Sequence, residues 1–185
     1  AFSLNSPAGI ALDGDGNLFV ADSGNNRVLE FPPNGTSAIR VFGQPGFTSG
    51  TPSNISSAQT LTTPQGVFAD ASSTLYVADT GANRVMIFPN TRDAAQAGSA
   101  AAIVLGQAAF DASAAGGGAS GLRLPWDVAQ DSAGNIYVSD DGNNRVLIYP
   151  SLIFLPLSGA AASAVVGQRD LSGSGPNFNS SSRQA

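Results

Sequence analysis

An all-β fold built from one repeated four-stranded unit is what this 185-residue sequence predicts. Three observations carry the prediction. One stretch is written three times, at 17–32, 74–89 and 135–150, each copy an apolar run, a turn of the form Asp-x-Gly-x-Asn and a second apolar run. Two apolar runs joined by a turn rich in Gly and Asn read as a β-hairpin. The landmarks keep a nearly constant period: Asp22, Asp79 and Asp140 are 57 and 61 residues apart, and Gly43, Gly106 and Gly167 are 63 and 61 apart. Each hairpin is also flanked by a segment opening at Pro and by one closing at Gly-Gln. Four short strands per unit, repeated in tandem, are the blades of a β-propeller.

The elements follow in order within each unit and are lettered a to d. Strand a opens at Pro7, Pro64 and Pro125 and runs to Asp13, Asp70 and Asp131. The a–b turn is Asp13-Gly14-Asp15-Gly16-Asn17 in the first unit, 70–74 in the second and 131–135 in the third, all residues that favour turns. Strand b is apolar throughout, as in Leu18-Phe19-Val20-Ala21, which predicts burial on both faces. Strand c carries Val28, Leu29 and Phe31 with a single charge at Glu30, and strand d ends at Gln44, Gln107 and Gln168. The blades are therefore expected at about 7–44, 64–107 and 125–168, with connecting loops 45–63 and 108–124 and a tail 169–185, all within one propeller portion. Strand parity puts the b–c turns and the long d–a loops on one side of the array.

The strand-start pattern Pro-x-Gly-Ile-Ala-Leu-Asp, followed by Asp-Gly-Asn-Leu-Phe-Val-Ala-Asp-Ser-Gly-Asn-Asn-Arg-Val, resembles the NHL repeat. The resemblance spans all three units, with the Asp–Gly–Asn–Arg core recurring in register. It implies an NHL-type propeller, a family whose members commonly have six blades. Two departures stand out: Trp126-Asp127 in the third strand start, and Ala82 in place of an Asn in the second turn. Three blades are fewer than a closed propeller uses. The first residue is Ala1 and the only Met is Met86, and the tail Ser181–Ala185 resembles 56–60, which leads into a strand a. These features are read as a processed chain or a piece of a longer array. Three completions are open: a larger parent chain, a two-chain ring, or an open head-to-tail assembly.

Composition narrows the function. The chain has no Cys and no His, so the usual zinc, iron–sulfur and haem ligands and any imidazole-dependent nucleophile are missing from it. With eight Arg, no Lys and a net charge of −5, there is no basic patch for nucleic acid. No stretch is long and apolar enough for a membrane span, and none reads as a signal peptide. No cofactor is expected. Propellers resembling this one include sugar lactonases that hold a metal through Glu, Asn and Asp, and lyases with a His-bound metal. The lone Glu30 and the missing His argue against both, and Asp111, Asp127, Asp141 and Asp170 fall in unrelated phases of the repeat. Asp13-Gly14-Asp15-Gly16-Asn17 has the look of a calcium loop but lacks the later bidentate Glu, so a hairpin turn is expected.

The recurring Asp22, Asn26 and Arg27, with Asp79, Asn83 and Arg84 and with Asp140, Asn144 and Arg145, are expected to form a structural turn network, since a catalytic group is needed once and not in every blade. The third c–d connection differs from the first: Leu152, Ile153, Phe154, Leu155 and Leu157 replace a polar turn. Together with Phe178 they form a candidate interface, the alternative being a strand edge folded onto its own blade. The sequence thus points to a non-catalytic interaction or structural module whose partners are other copies of itself or further repeats. The alternative is part of a propeller enzyme or of a ligand-binding sensor. The absence of Lys and the loops rich in Ser, Thr, Gly and Asn point to an extracellular or cell-surface setting.

Overall fold

The computed structural model describes residues 3–176. Blade 1 is the meander β1 (Pro7–Leu12), β2 (Leu18–Asp22), β3 (Arg27–Phe31) and β4 (Arg40–Phe42). Blade 2 is β5 (Val67–Ala69), β6 (Leu75–Asp79), β7 (Arg84–Phe88) and β9 (Ile103–Leu105). Blade 3 is β10 (Pro125–Gln130), β11 (Ile136–Asp140), β12 (Arg145–Tyr149) and β13 (Ala164–Val166). Pairing within each meander is antiparallel and in the same register, with Asp22 opposite Arg27, Asp79 opposite Arg84 and Asp140 opposite Arg145.

The first sheet is not purely the four-stranded antiparallel unit expected. A fifth strand, β8 (Ala97–Ser99), joins it in parallel alongside β4. That strand comes from the c–d connection of blade 2, which reaches back over the outer edge of blade 1. The c–d connection of blade 3 repeats the move on blade 2: the Val104 N–H donates to the Leu157 carbonyl at 2.9 Å, and Leu105 bridges in parallel to Ala160. Each arm occupies the exposed backbone edge of the preceding blade, which would otherwise stand unpaired.

The core divides into two layers, one per junction. Phe19, Val28 and Phe42 of blade 1 pack against Val67, Leu75, Met86 and Phe88 of blade 2. Phe42 and Phe88 meet with ring centroids 5.2 Å apart at 59°, a tilted geometry that aromatic pairs favour. Tyr76, Val85, Ile87 and Leu105 on the other face of blade 2 pack against Val128, Ile136, Val138 and Leu147 of blade 3. β6 is therefore buried throughout, as its unbroken apolar run requires, whereas β11 alternates between buried and half-buried residues because one face of blade 3 is open.

Two polar groups in this core lack a hydrogen-bond partner among the described residues. The Tyr149 hydroxyl is buried at a position where blades 1 and 2 have Phe31 and Phe88. Glu30 and Arg40 stand where blade 2 pairs Ile87 with Ile103. Arg40 Nη1 donates to Glu30 Oε1 at 2.8 Å, and its other nitrogens donate to the Ala94 and Arg92 carbonyls of the blade 2 arm. Glu30 Oε2 is left without a partner. Burial pushes the Glu30 carboxyl above its ordinary value; Arg40 opposes this and Asp13 adds to it.

Tyr149→Phe should leave stability unchanged or raise it by about 1–2 kcal/mol, because it deletes a buried unpaired hydroxyl, as chemical denaturation can read. For Glu30 the folded pKa lies above the unfolded value near 4.5. The folded state therefore binds the proton more readily, and this group adds stability as pH falls through the raised folded value toward the unfolded one. Glu30→Gln should remove that share of the slope, measured by urea denaturation across a pH series.

Candidate functional site

The b–c turns are built alike in all three blades. Ser23–Asn25, Thr80–Ala82 and Asp141–Asn143 each form a single 3-10 turn, followed by Asn26, Asn83 or Asn144 at φ 53, 54 and 54°. Asn tolerates this left-handed conformation better than other residues with a side chain. It also turns the chain so that the next residue, the Arg, faces back on the Asp that opened the turn. Arg27 Nε donates to Asp22 Oδ2 at 2.6 Å, Arg84 Nε to Asp79 Oδ2 at 2.8 Å, and Arg145 Nε to Asp140 Oδ2 at 2.7 Å. All six side chains are buried.

The rest of each guanidinium reaches the loops. Arg84 donates to the Ser57 and Thr60 carbonyls of the loop before blade 2 and to the Phe110 carbonyl of the loop after it. Arg27 does the same with Ser3 on one side and Phe47 and Ser49 on the other, and Arg145 with Gly118 and Gly121, then Leu171 and Gly173. The other carboxylate oxygen accepts the backbone N–H of Asn5, Thr62 or Arg123, ahead of strand a. Turns and long loops thus share one side of the array, as strand parity requires. Complete burial pushes the Asp79 carboxyl up to about 6, against the charge of Arg84 and the Thr62 N–H.

The three Asn side chains tie each turn to the segment that follows its blade, and Asn26 and Asn83 also link blade to blade. Their amides donate to the Gly50, Ser113 and Ser174 carbonyls. Asn26 Oδ1 accepts the Thr63 N–H and Asn83 Oδ1 the Leu124 N–H, each at 2.9 Å and each just ahead of the next strand a. Thr63 and Leu124 hold φ of 46 and 47°, an uncommon conformation for residues with a Cβ. Ser6 shares it at 49° ahead of Pro7. A further set went unrecognised in the sequence: Gln44, Gln107 and Gln168 each donate to the carbonyl of the turn Asn and to one carbonyl of the following loop. The recurring Gly-Gln is their signal in the sequence.

The calcium-like stretch is a hairpin turn. Asp13 Oδ1 accepts the Asp15 and Asn17 N–H groups, and Oδ2 accepts the Asn17 amide and the Ser73 hydroxyl. Burial works against the Asp13 charge, but these bonds outweigh it and hold its pKa below the ordinary value. Among the described residues no three His, Cys, Asp or Glu side chains lie together as a metal site.

The candidate apolar interface is split. Leu152 and Leu155 turn inward onto the core shared by blades 2 and 3. Ile153, Phe154 and Leu157 are 82%, 73% and 66% exposed. Phe178 lies outside the described residues. The segment does not fold onto its own blade as a strand edge; the arm that contains it covers blade 2, because the free edge of β9 is the nearest unpaired backbone. Trp126 and Asp127, both exposed, line a cleft of about 240 Å³ where the first strands of the three blades converge, together with Gly9, Gln65 and Gly66.

Fold and site together define a tandem array of propeller blades held by a polar network on its loop side. The NHL repeat family model matches residues 4–31 and 122–149, so these segments of blades 1 and 3 are NHL repeats within an array of propeller-type blades. Blade 2 lies outside the matched segments but repeats the same pairing; its Ala82 stands where Asn25 and Asn143 donate to the turn Asp. No curated protein matches the chain. Among solved structures it is similar to hydrazine synthase from Kuenenia stuttgartiensis, at 11% identity and TM-score 0.59, over 92% of this chain and 38% of that one. A protein of unknown function from Bacteroides caccae is similar at 12% identity and TM-score 0.50, over 86% and 48%. Virginiamycin B lyase from Staphylococcus aureus is similar at 15% identity and TM-score 0.49, over 78% and 38%. The chain therefore spans less than half the length of each, and the likeness is one of fold.

Asp79→Asn would leave the Arg84 guanidinium buried without its counter-charge. It should cost about 3–5 kcal/mol, read as a lowered denaturation midpoint.

Proposed function

We propose that this chain is a non-catalytic interaction module that joins copies of itself head to tail, through the open faces of its first and third blades. One observation carries the reading. Ser6 holds the same left-handed conformation as Thr63 and Leu124, and its N–H has no partner among the described residues. Asn144 Oδ1, the equivalent of the acceptors that Thr63 and Leu124 use, likewise has no donor among them. The two halves of one inter-blade connector thus stand unpaired at opposite ends of the array. A strained backbone held without its hydrogen bond is costly, which favours an occupant that completes it. Ile10 and Leu12 on blade 1 and Val166 on blade 3 are exposed on the same two blades.

The non-catalytic part of the reading rests on where the carboxylates are spent. Asp22, Asp79 and Asp140 are paired with arginine, while Asp13, Asp70 and Asp131 accept turn N–H groups. Lyase or lactonase chemistry would need converging carboxylates or an imidazole, and the chain has no His. An extracellular or cell-surface setting fits the polar, lysine-free loops.

Light scattering of the pure chain should show species of two or more times 18.5 kDa, growing with concentration. Asn144→Gly, which keeps the left-handed turn but removes the acceptor, should shift the population toward monomer severalfold. A wild-type chain that stays monomeric would overturn the proposal.

A further inference from the structure

The two junctions inside the chain set out what a blade offers to the blade that follows it. At the inner rim each offers a hydrogen-bond donor from its own first strand: the Gly9 N–H to the Gln65 carbonyl and the Gly66 N–H to the Trp126 carbonyl, both at 2.9 Å. A hydroxyl from the b–c turn supports the same rim. Thr80 Oγ1 donates to the Pro125 carbonyl at 2.6 Å, and Ser23 Oγ accepts the Gln65 amide at 3.1 Å. The approach is close. A Cβ at Gly9 would lie 2.5 Å from the Gln65 carbonyl oxygen, and one at Gly66 would lie 2.7 Å from that of Trp126.

Blade 3 offers neither the free strand N–H nor the turn hydroxyl. Asp127 stands at the position of Gly9 and Gly66, and Asp141 at that of Ser23 and Thr80; both are exposed. The Asp127 N–H donates within its own blade to Ser139 Oγ at 2.8 Å, and blades 1 and 2 have Ala21 and Ala78 at the position of Ser139. In the internal register, a second copy would bring its Ala8 carbonyl to Asp127 and its Pro7 carbonyl to Asp141, the equivalents of Gln65, Trp126 and Pro125. The Asp127 carboxylate, whose Oδ1 accepts the Val128 N–H at 2.9 Å and lies toward Gly66, has no proton to give that carbonyl, nor has Asp141, and the Asp127 Cβ stands where Gly9 and Gly66 have none. Burying an unpaired charge there is strongly unfavourable. The outer clasp is short as well: the c–d turn of blade 1 spans only 32–39, against 89–102 and 150–163 for the arms that reach back over a preceding blade.

We infer that Asp127 and Asp141 are specificity residues of the blade 3 face, which oppose in-register addition of a second copy's blade 1 and keep the seam between copies looser than the junctions within the chain. This rests on the self-association reading for its partner, but its test can succeed or fail separately. The double variant Asp127→Gly with Asp141→Thr installs the residues of blade 2. Light scattering across a concentration series should show association at least about tenfold tighter than wild type, equivalent to about 1.4 kcal/mol. Asp141→Thr alone, at an exposed site that leaves the strand untouched, should tighten it severalfold and serves if the double variant fails to fold. A wild type that associates with both variants unchanged would overturn this inference and leave the self-association reading standing. A monomeric wild type with an associating variant would support it and sink that reading. Monomers throughout would overturn both.

Discussion

The buried Asp–Arg pair of each b–c turn is the interaction on which the rest depends. Loops of the length seen at 45–63 and 108–124, with no strand or helix of their own, are uncommon in compact domains unless something holds them. Here the something is a guanidinium. Its planar fork has donors enough for a carboxylate and for carbonyls on both sides, which an ammonium on a flexible stem would not match. Arg84 is fully buried, so its charge is tolerable only while Asp79 and the loop carbonyls are in place. Turn, loops and blade must therefore order together.

From that clamp the blade-to-blade geometry follows. The left-handed Asn that aims the Arg also accepts the N–H that leads into the next first strand, so a single turn closes its own hairpin and positions its neighbour. The apolar layers then add the larger stabilisation, about 1.5–3 kcal/mol for each large side chain taken from water. Because each layer lies between two blades, the array behaves as units joined by nearest-neighbour contacts. Blade 2 alone has both faces served. Blades 1 and 3 carry the same strands, each packed against blade 2 on one face.

Much of this was legible in the residues. The period, the hairpins and the opening Pro needed only pattern, because alternation and turn chemistry are local. Asp22, Asn26 and Arg27 were recognisable as a network from recurrence, although which loop carbonyls the Arg would reach was not. Ala97–Ser99 is not legible as a strand because Ala-Gly-Ser has little intrinsic β preference; it is held by the free edge of β4. The Leu152–Leu157 run read as apolar and unplaced, and its division into inward Leu152 and Leu155 and outward Ile153, Phe154 and Leu157 depends on where the arm crosses blade 2.

By itself the sequence determined the class of fold, the period of the repeat and the place of each hairpin, since these rest on local turn geometry and side-chain period. Only the tertiary structure decided what the repeats do to one another. The arms clasp backward, the Gln amides tie turn to loop, and Gly9 and Gly66 admit the Gln65 and Trp126 carbonyls of the next blade. Those outcomes depend on distances between segments some sixty residues apart. A hydrogen bond or a clash is a matter of tenths of an ångström, and no spacing along the chain carries that information until the blades are packed.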